Sequence, residues 1–415
     1  MHQRRFAVSV AIVVVVSIVM SAAPRAQETV TNPPADAPFL LGPLTLAPVI
    51  DTYIGHDNNL FNQTSSENPQ GDITGTFSPI VNAWLTMPRA RAKVSARSDL
   101  YYYGEFSDLR ALDWNVDARI ELPLNRLDPF VSAGLVSTNN SQNLEVDAYA
   151  GLMSTRYGAG TSIRLTSRIS TEISVRRSQQ NYDEQALYEE DVNLSETLDY
   201  ASTGVTLALR YRVTALTTVG VEAARSQDRF ESSTERDSNN RTITPFIELR
   251  PFALISGRAS VGVQSRDTLS GDSEDFTGTV VNTSLAYTLL SRTRLSLSLN
   301  RALQYSYLEG RTDYVDGRIT VGVAHQLTDS WDLTGSFGRA RLTYRVTIPA
   351  GGSETSVTPV QYPDETQLLA GAGVGYSRRR TRVGFRVDYS RRDPESSTLG
   401  GYTRTRAFST VTYTF

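Results

Sequence analysis

The sequence has no cysteine, and only one apolar segment, at the N-terminus, could cross a bilayer as a helix. Without cysteine the chain has neither disulfide bonds nor a lipidation site beside a cleaved leader. After export its stability would therefore depend on its own sheet. The net charge is −3 over 415 residues and becomes more negative once an arginine-containing leader is removed. This charge excludes a nucleic-acid-binding protein by bulk electrostatics.

The N-terminal segment has the features of a secretory leader. Arg4 and Arg5 precede the apolar residues 6–20, and small residues follow up to Ala26. This pattern predicts a signal peptide over residues 1–26, cleaved near Ala23 or Ala26, with an uncleaved anchor helix as the alternative. Residues 27–43 are proline-rich without a periodic pattern and predict an extended periplasmic lead-in.

From residue 44 to residue 415 the dominant period of the sequence is two. Val383, Phe385 and Val387, for example, alternate with Arg382, Gly384 and Arg386. Such a segment has one apolar face and one charged or small face when it is extended. The segments are about 11 to 16 residues long, which exceeds ordinary soluble strands and suits tilted membrane strands. The sequence therefore predicts an all-β fold, a transmembrane antiparallel up-and-down β-barrel over residues 44–415.

The connections between these segments alternate between short and long. Outer-membrane barrels have short periplasmic turns and long external loops, so the pattern predicts about 18 strands, with about 16 as the alternative. The short connections lie at 87–89, 123–126, 167–168, 214–215, 254–256, 291–292, 328–330 and 378–380, so that Arg126, Ser291 and Arg379 face the periplasm. The long ones lie near 56–72, 105–110, 139–147, 183–196, 230–240, 268–276, 308–312, 346–364 and 394–401, so that Glu189, Ser233 and Ser353 lie in surface loops.

Outward-facing aromatic residues fall at two heights under this topology, as expected for side chains that prefer membrane interfaces. One group, at the periplasmic rim, contains Tyr211, Tyr287, Trp331, Tyr376 and Tyr413. The other group, at the outer rim, contains Tyr102, Trp114, Tyr149, Tyr305, Tyr307 and Tyr389. Trp84 breaks the pattern, because its parity points it inward.

The C-terminal nine residues alternate and end on Phe415, with Tyr413 on the same outward face. Such an ending resembles the C-terminal signal strand of bacterial outer-membrane barrels, which predicts that Tyr413 and Phe415 act in assembly. Residues 52–61, TYIGHDNNLF, form an early strand that runs into an Asp-Asn-rich turn. With the leader and Phe415, this segment resembles the porin-2-like β-barrel porins that are often associated with exopolysaccharide production. Asp57, Asn58 and Asn59 also fit a simple loop turn.

The inward faces near the closing seam carry more cations than acids. The seam brings the last two strands beside the first three, where Asp51, Asp99 and Asp388 are the inward acids. A lumen lined by one sign of charge concentrates solutes of the opposite sign, whereas paired arginines would only brace the wall. The predicted lumen-lining selectivity residues are Arg91, Lys93, Arg97, Arg382, Arg386, Arg404 and Arg406.

Catalytic and metal chemistry have weak support in the sequence. After the leader, His56 and His325 are the only histidines, and the parity of His325 places it on the lipid-facing side. The acidic segment around residues 183–191 could bind calcium but fits a solvated loop better. We therefore expect no catalytic site, cofactor or metal, although an outer-membrane protease or phospholipase remains a third possibility.

These patterns predict a porin-like channel in the bacterial outer membrane for hydrophilic, anionic solutes. The resemblance adds an exopolysaccharide export role. The alternative is a non-conducting structural or adhesion barrel that acts through its surface loops. The expected partners are outer-membrane lipid and lipopolysaccharide, the barrel-assembly machinery and a hydrophilic solute or polysaccharide, without nucleic acid.

Overall fold

Antiparallel β-strands make up most of the computed structural model, which describes residues 32–34, 37–139, 151–183, 193–250, 254–270, 275–307, 312–345, 364–394 and 400–415. A short strand, β1 (Phe39–Leu41), precedes the barrel, and a short helix, α1 (Leu194–Leu198), lies between β8 and β9. The barrel strands are β2 (Leu44–Asp57), β3 (Asp72–Met87), β4 (Ala90–Tyr103), β5 (Ala111–Glu121), β6 (Leu127–Thr138), β7 (Leu152–Arg164), β8 (Ile169–Tyr182), β9 (Tyr200–Arg212), β10 (Thr217–Phe230), β11 (Ser238–Leu249), β12 (Ile255–Thr268), β13 (Phe276–Leu289), β14 (Thr293–Tyr305), β15 (Asp313–Gln326), β16 (Trp331–Tyr344), β17 (Glu365–Arg378), β18 (Thr381–Pro394) and β19 (Tyr402–Thr414).

Each barrel strand pairs with the next in antiparallel fashion, and the last pairs with the first. The closing ladder runs from Arg406 opposite Asp57 to Thr414 opposite Val49. The chain is therefore a closed barrel of 18 antiparallel strands, which confirms the predicted fold and the higher of the two strand counts. No helix in the described part is both long and apolar enough to cross a membrane.

The period of two sets the two faces of the wall. Ile243, Phe337 and Phe385 stand exposed on the outer face, and charged or small residues alternate with them on the inner face. The short connections all lie at one end of the barrel, called here the turn end, and the long ones at the other, the loop end. In two of the tight turns Ser291 and Arg379 adopt positive φ angles of 57° and 55°.

The outward aromatic residues occupy both rims, with exceptions. Tyr102 and Tyr389 are exposed near the loop end, as predicted. The prediction was wrong for Tyr305 and Tyr307, which lie inside the mouth of the barrel against inward-facing rings. Tyr149 lies outside the described residues. Trp84 faces inward and is buried, as its parity predicted.

The lead-in contains a structured segment that the sequence did not reveal. Strand β1 folds back on the start of β2 through Gly42, whose φ of 62° suits a residue without a side chain. Phe39 pairs with Leu46 and lies 6.5 Å from the ring of Phe415. Strand β1 therefore occupies the edge of β2 just beyond the end of β19.

The wall divides between β13 and β14 near the loop end. These strands pair only from Val281 opposite Arg301 to Leu289 opposite Thr293, although both continue further toward the loops. Arg301 donates to the carbonyl oxygen of Thr279 on the unpaired edge of β13. An unpaired edge leaves backbone groups without partners, so this arginine partly replaces the missing ladder.

Beyond the division, the ends of β14, β15 and β16 turn into the barrel. Asp313 on β15 shares its face with Ile319, which is exposed on the outside of the wall. Asp313 itself is only 3% exposed and contacts Arg266, an inward residue of β12. The loop-end portions of β14, β15 and β16 are called here the inturned strands. The outer face of these portions packs against the inner face of β9 to β13.

Candidate functional site

The closing seam is held by the Asp-Asn segment that the sequence singled out. Asp57 is buried at the end of β2 and accepts hydrogen bonds from Arg404 of β19, from Nε at 3.0 and 2.9 Å and from Nη2 at 2.6 Å. It also accepts the backbone N–H of Asn59 at 3.1 Å, as a turn-forming aspartate would. The carboxylate thus shapes the turn and neutralises an inward arginine.

The two asparagines continue the seam past the end of β2. The backbone N–H of Asn58 donates to the carbonyl of Thr405 at 3.2 Å, and its side-chain oxygen accepts the Thr405 N–H at 2.7 Å. Nδ2 of Asn59 donates to the carbonyl of Thr403 at 3.0 Å. This segment therefore has a structural role at the closure of the barrel.

Lumenal glycines allow arginines to reach across a strand. Arg382 of β18 passes over Gly375 of β17 and holds Asp332 of β16 through Nε at 3.0 Å and Nη2 at 2.6 Å. A Cβ atom at Gly375 would overlap the guanidinium group and the carboxylate. The glycine is needed here for close approach, which matches the role expected for glycines inside strands.

Arg386, further along β18, also reaches across a glycine of the neighbouring strand. It passes over Gly371 to donate to Ser336 Oγ at 2.8 Å, and its Nε donates to Asp388 at 2.7 Å. Arg406 lies 3.9 Å from the other oxygen of Asp388. Asp388 therefore serves two of the predicted selectivity arginines.

The remaining predicted cations line β4. Nε of Arg97 donates to both oxygens of Asp99 at 2.9 Å, and the Ser78 hydroxyl also donates to Asp99. Arg91 lies opposite Glu121, and Lys93 lies opposite Arg119 on β5. All seven residues lie on the face of the wall opposite the exposed apolar side chains.

The prediction that Asp51, Asp99 and Asp388 are the inward acids near the seam was incomplete, because other acids also reach the seam arginines. Asp57 holds Arg404 and Asp332 holds Arg382, and neither acid was counted among the inward acids of the seam. Both acids sit on the wall beside the arginines, so much of the positive charge at the seam is balanced locally.

A second set of cations lies on the adjoining wall, and only one of its members, Lys93, was predicted from the sequence. Lys93, Arg119, Arg156 and Arg176 follow the inner face from β4 to β8 and are called here the basic arc. Arg119 pairs with Glu121 at 2.7 Å, and Arg156 crosses Gly134 to reach Asp117 at 3.1 Å. Two members are therefore held by acids.

Arg176 is the member of the basic arc that lies between glycines. Its register neighbours are Gly158 and Gly204, so no side chain flanks it at its own height. Within the described part of the chain it makes no hydrogen bond or ion pair, and the charges that act on it are those of Arg156 and Arg119 and, with the opposite sign, those of Glu222 and Glu172. Strand parity alone, applied to β8, could have identified Arg176.

The inturned strands narrow the loop end of the lumen. Asp313 lies 3.4 Å from Arg266 and 2.9 Å from Arg345, and all three are largely buried. The Tyr305 hydroxyl donates to Asp228 at 2.9 Å, and its ring lies 4.9 Å from that of Phe230. These contacts fasten β14 and β15 to the opposite inner wall.

The two histidines of the described residues both lie on the outer face of the barrel. His325 Nδ1 lies 2.8 Å from the Thr293 hydroxyl on the outer side of the turn end, and His56 is exposed on the outside of β2. No group of three or more acidic or histidine side chains in the described ranges could hold a metal ion. Residues 184–192, most of the acidic loop, lie outside the described residues.

The C-terminal aromatic residues lie at the junction of three strands. Tyr413 is exposed on the outer face, and its ring meets that of Phe415 at 4.9 Å. The backbone N–H of Phe415 donates to the carbonyl of Pro48 at 3.3 Å. The terminus is thus joined to β2 by a hydrogen bond and contacts Phe39 of β1.

Comparison with known proteins gives one family match. The model of the family described as "Putative beta-barrel porin 2" matches residues 39–415. Among curated proteins, none matches the chain.

Solved structures with similar architecture are barrels of diverse kinds. OccK2 (OpdF) of Pseudomonas aeruginosa, solved in complex with glucuronate, is 10% identical with a TM-score of 0.49 and coverage of 90% of this chain and 98% of that one. The siderophore receptor PirA of Pseudomonas aeruginosa is 10% identical, with a TM-score of 0.41 and coverage of 89% and 80%. The FrpB iron transporter of Neisseria meningitidis is 9% identical, with a TM-score of 0.48 and coverage of 84% and 62%.

Proposed function

Because the chain belongs to the family described as "Putative beta-barrel porin 2", we propose that it is an outer-membrane channel for hydrophilic anions that serves exopolysaccharide export. In this proposal the turn end faces the periplasm and the loop end faces the cell exterior, as in other outer-membrane barrels. The channel works by passive passage, without a cofactor or a catalytic step. A barrel of this size is not filled by wall side chains alone, which favours a water-filled lumen.

The observation that carries the anion preference is the basic arc. Arg176 faces the lumen between two glycines, with Arg119 and Arg156 nearby. An unpaired guanidinium on the wall of a water-filled passage attracts carboxylate and phosphate groups. The seam arginines contribute less, because Asp57, Asp332 and Asp388 balance them.

Reversal-potential measurements in planar bilayers test this preference. The full-length protein should favour chloride over potassium at low salt, and the preference should fade as salt screens the lumen. Arg176→Gln should reduce the preference several-fold more than the matched control Arg382→Gln/Asp332→Asn, because the control removes a whole ion pair and leaves the net charge of the lumen unchanged. Cation preference in the unmodified channel, or an equal effect of both variants, would contradict the assignment to Arg176.

The polysaccharide part of the proposal has its own measurement. An acidic oligosaccharide added to one chamber should interrupt the ion current in a voltage-dependent way, because the polymer would enter the basic lumen. A neutral dextran of equal length should interrupt it less. Equal effects of the two polymers would remove acidic polysaccharide from the proposal and leave a channel for small anions.

The inturned strands favour a second candidate, a structural or adhesion barrel that conducts no ions. Tyr305, Asp313 and Arg345 occupy space inside the loop end that an open pore would leave to water. Absence of conductance from correctly folded protein would favour this candidate over the channel. An enzyme is the least supported class, since His56 and His325 both lie on the outer face.

A further inference from the structure

The outer face of the barrel carries arginines where the apolar belt ends. On β10 and β11, Arg225 and Arg241 are direct register partners, and both are exposed. They face outward, because Val221 and Ile243 on the same face of these strands are exposed apolar side chains. A third arginine, Arg177, stands exposed on the outside of β8.

The three arginines form a compact group. Arg177 pairs with Thr203 on β9, and Thr203 pairs with Gln227, which lies two residues beyond Arg225 toward the loop end. Arg177 is therefore two strands from Arg225 and one step closer to the loops. Neighbouring strands lie about 4.8 Å apart, so one extended headgroup could span the group. This group, Arg177, Arg225 and Arg241, is called here the outer arginine cluster.

The protein leaves most of this charge unbalanced. Arg241 has a partner, Asp267, at 3.4 Å, and both side chains are well exposed. Neither Arg177 nor Arg225 makes a hydrogen bond or ion pair within the described ranges. Like charges placed directly opposite each other on a sheet repel, so the juxtaposition of Arg225 and Arg241 is unfavourable without an anion between them.

The height of the cluster identifies the kind of anion. Toward the turn end, Val175, Val205 and Val263 continue the exposed apolar belt, which suits lipid chains. Toward the loop end the outward residues become polar, as Gln179 and Asn181 on β8 illustrate. Arginine on the lipid-facing side of a barrel is costly at the bilayer midplane and tolerated near the interface. The cluster therefore lies at the level of lipid headgroups.

We propose that the outer arginine cluster is a binding site for the phosphate groups of an outer-leaflet glycolipid. The planar guanidinium group binds phosphate oxygens through two parallel hydrogen bonds. A lipid that carries two phosphates fits best, with one phosphate between Arg225 and Arg241 and the other at Arg177. The proposal rests on the outer-membrane placement given above but not on the conductance of the lumen.

The test measures lipopolysaccharide bound to the full-length protein. Wild type and Arg225→Gln/Arg241→Gln, purified from outer membranes in mild detergent, are stripped of lipid and titrated with intact or dephosphorylated lipopolysaccharide. Wild type should bind the intact form at least about tenfold more tightly than the double variant, since each arginine near a charged surface contributes several-fold. Dephosphorylated lipopolysaccharide should bind both proteins equally weakly.

A matched control is available on the opposite side of the same rim. Arg391→Gln removes an outward arginine that Asp393 already balances at 2.8 Å, and it should leave lipid binding unchanged. Heat-modifiable migration on gels confirms that each variant is folded, and single substitutions replace the double variant if it does not fold.

Three results would overturn the proposal. Unchanged binding in the folded variants would show that the cluster does not hold the lipid. Displacement of the lipid by an equal concentration of inorganic phosphate would indicate a free-phosphate site, and binding of an acidic peptide in preference to the lipid would indicate a protein partner. Recovery of the wild-type protein outside the outer-membrane fraction would instead contradict the proposed location. Failure of the lipid-site proposal and failure of the proposed location therefore give different results.

Discussion

At the scale of single residues, the inner wall is built from arginines that reach carboxylates two strands away across a glycine. Arg382, Gly375 and Asp332 show the arrangement most directly. Arg156, Gly134 and Asp117 repeat it on the other side of the barrel. The long side chain reaches across the neighbouring strand, so its charge is neutralised at the wall.

Asp57 is the residue whose loss should affect closure most. Asp57→Ala would leave the guanidinium of Arg404 buried at the seam without its carboxylate, which costs about 3 kcal/mol for a buried pair. We expect lower stability in urea unfolding followed by heat-modifiable migration. Asp393→Ala is the matched control, because that carboxylate is exposed and pairs at the surface. Equal stability of the two variants would mean that the Asp57–Arg404 pair does not hold the seam.

The sequence predicted which side chains face inward but not which ones pair. Parity follows from the chain alone, because neighbouring residues of a strand alternate between faces. Pairing depends on register between strands that are distant in sequence, as for Arg382 and Asp332, which are 50 residues apart. For this reason Arg404 was predicted to line the lumen, while its neutralisation by Asp57 became visible only in the folded barrel.

At the scale of elements, β14 and β15 depart from the regular wall, and Asp313 fastens them inside. Its carboxylate is held by Arg266 and Arg345. Asp313→Ala should release the inturned strands and raise single-channel conductance measurably. Asp364→Ala, which removes the partner of the exposed Arg341, is the control and should leave conductance unchanged. If Asp313→Ala also conducts as wild type does, the inturned strands do not limit passage.

The sequence could not reveal this inward turn. Tyr305 and Tyr307 continue the alternation of β14, and parity alone assigned them to the outer belt. Their burial depends on the loss of β13–β14 pairing beyond Arg301, and on contacts with rings from β8 to β10. Both are tertiary features without a local pattern.

Strand β19 should be more important for assembly than for transport. Phe415 joins β2 through its backbone and contacts Phe39 of β1, so the aromatic terminus lies where the barrel closes. Phe415→Ala, and more strongly deletion of residues 413–415, should lower the amount of folded protein in the membrane. Phe39→Ala separates the two contacts, because it removes the ring partner and leaves the terminus intact. Normal folded amounts in all three variants would exclude an assembly role for the terminus.

At the scale of the whole molecule, the strand count was predictable because it depends on local signals. The alternation of apolar and polar residues stops at each tight turn and at each long polar loop. The number of these interruptions therefore gives the number of strands. The tight turns near Ser291 and Arg379, for example, lie where the sequence predicted them. The short strand β1 was missed because three residues are too few to show a period.

Orientation of the barrel in the membrane is the last prediction, and the absence of cysteine makes it testable with single substitutions. Ser291 is exposed in a turn-end connection, and Ser107 is exposed in a loop-end connection. Because long loops of outer-membrane barrels face outward, a membrane-impermeant maleimide should label Ser107→Cys on intact cells and should label Ser291→Cys only after lysis.

Ser233, in another loop-end connection, is a poorer reporter, since its hydroxyl is buried and donates to the carbonyl of Glu196. Glu189 and Ser353, predicted in surface loops, lie outside the described residues, and the same labelling would test them. Labelling of Ser291→Cys but not Ser107→Cys on intact cells would invert the barrel, place the basic arc toward the other leaflet and move the outer arginine cluster away from the outer-leaflet lipid.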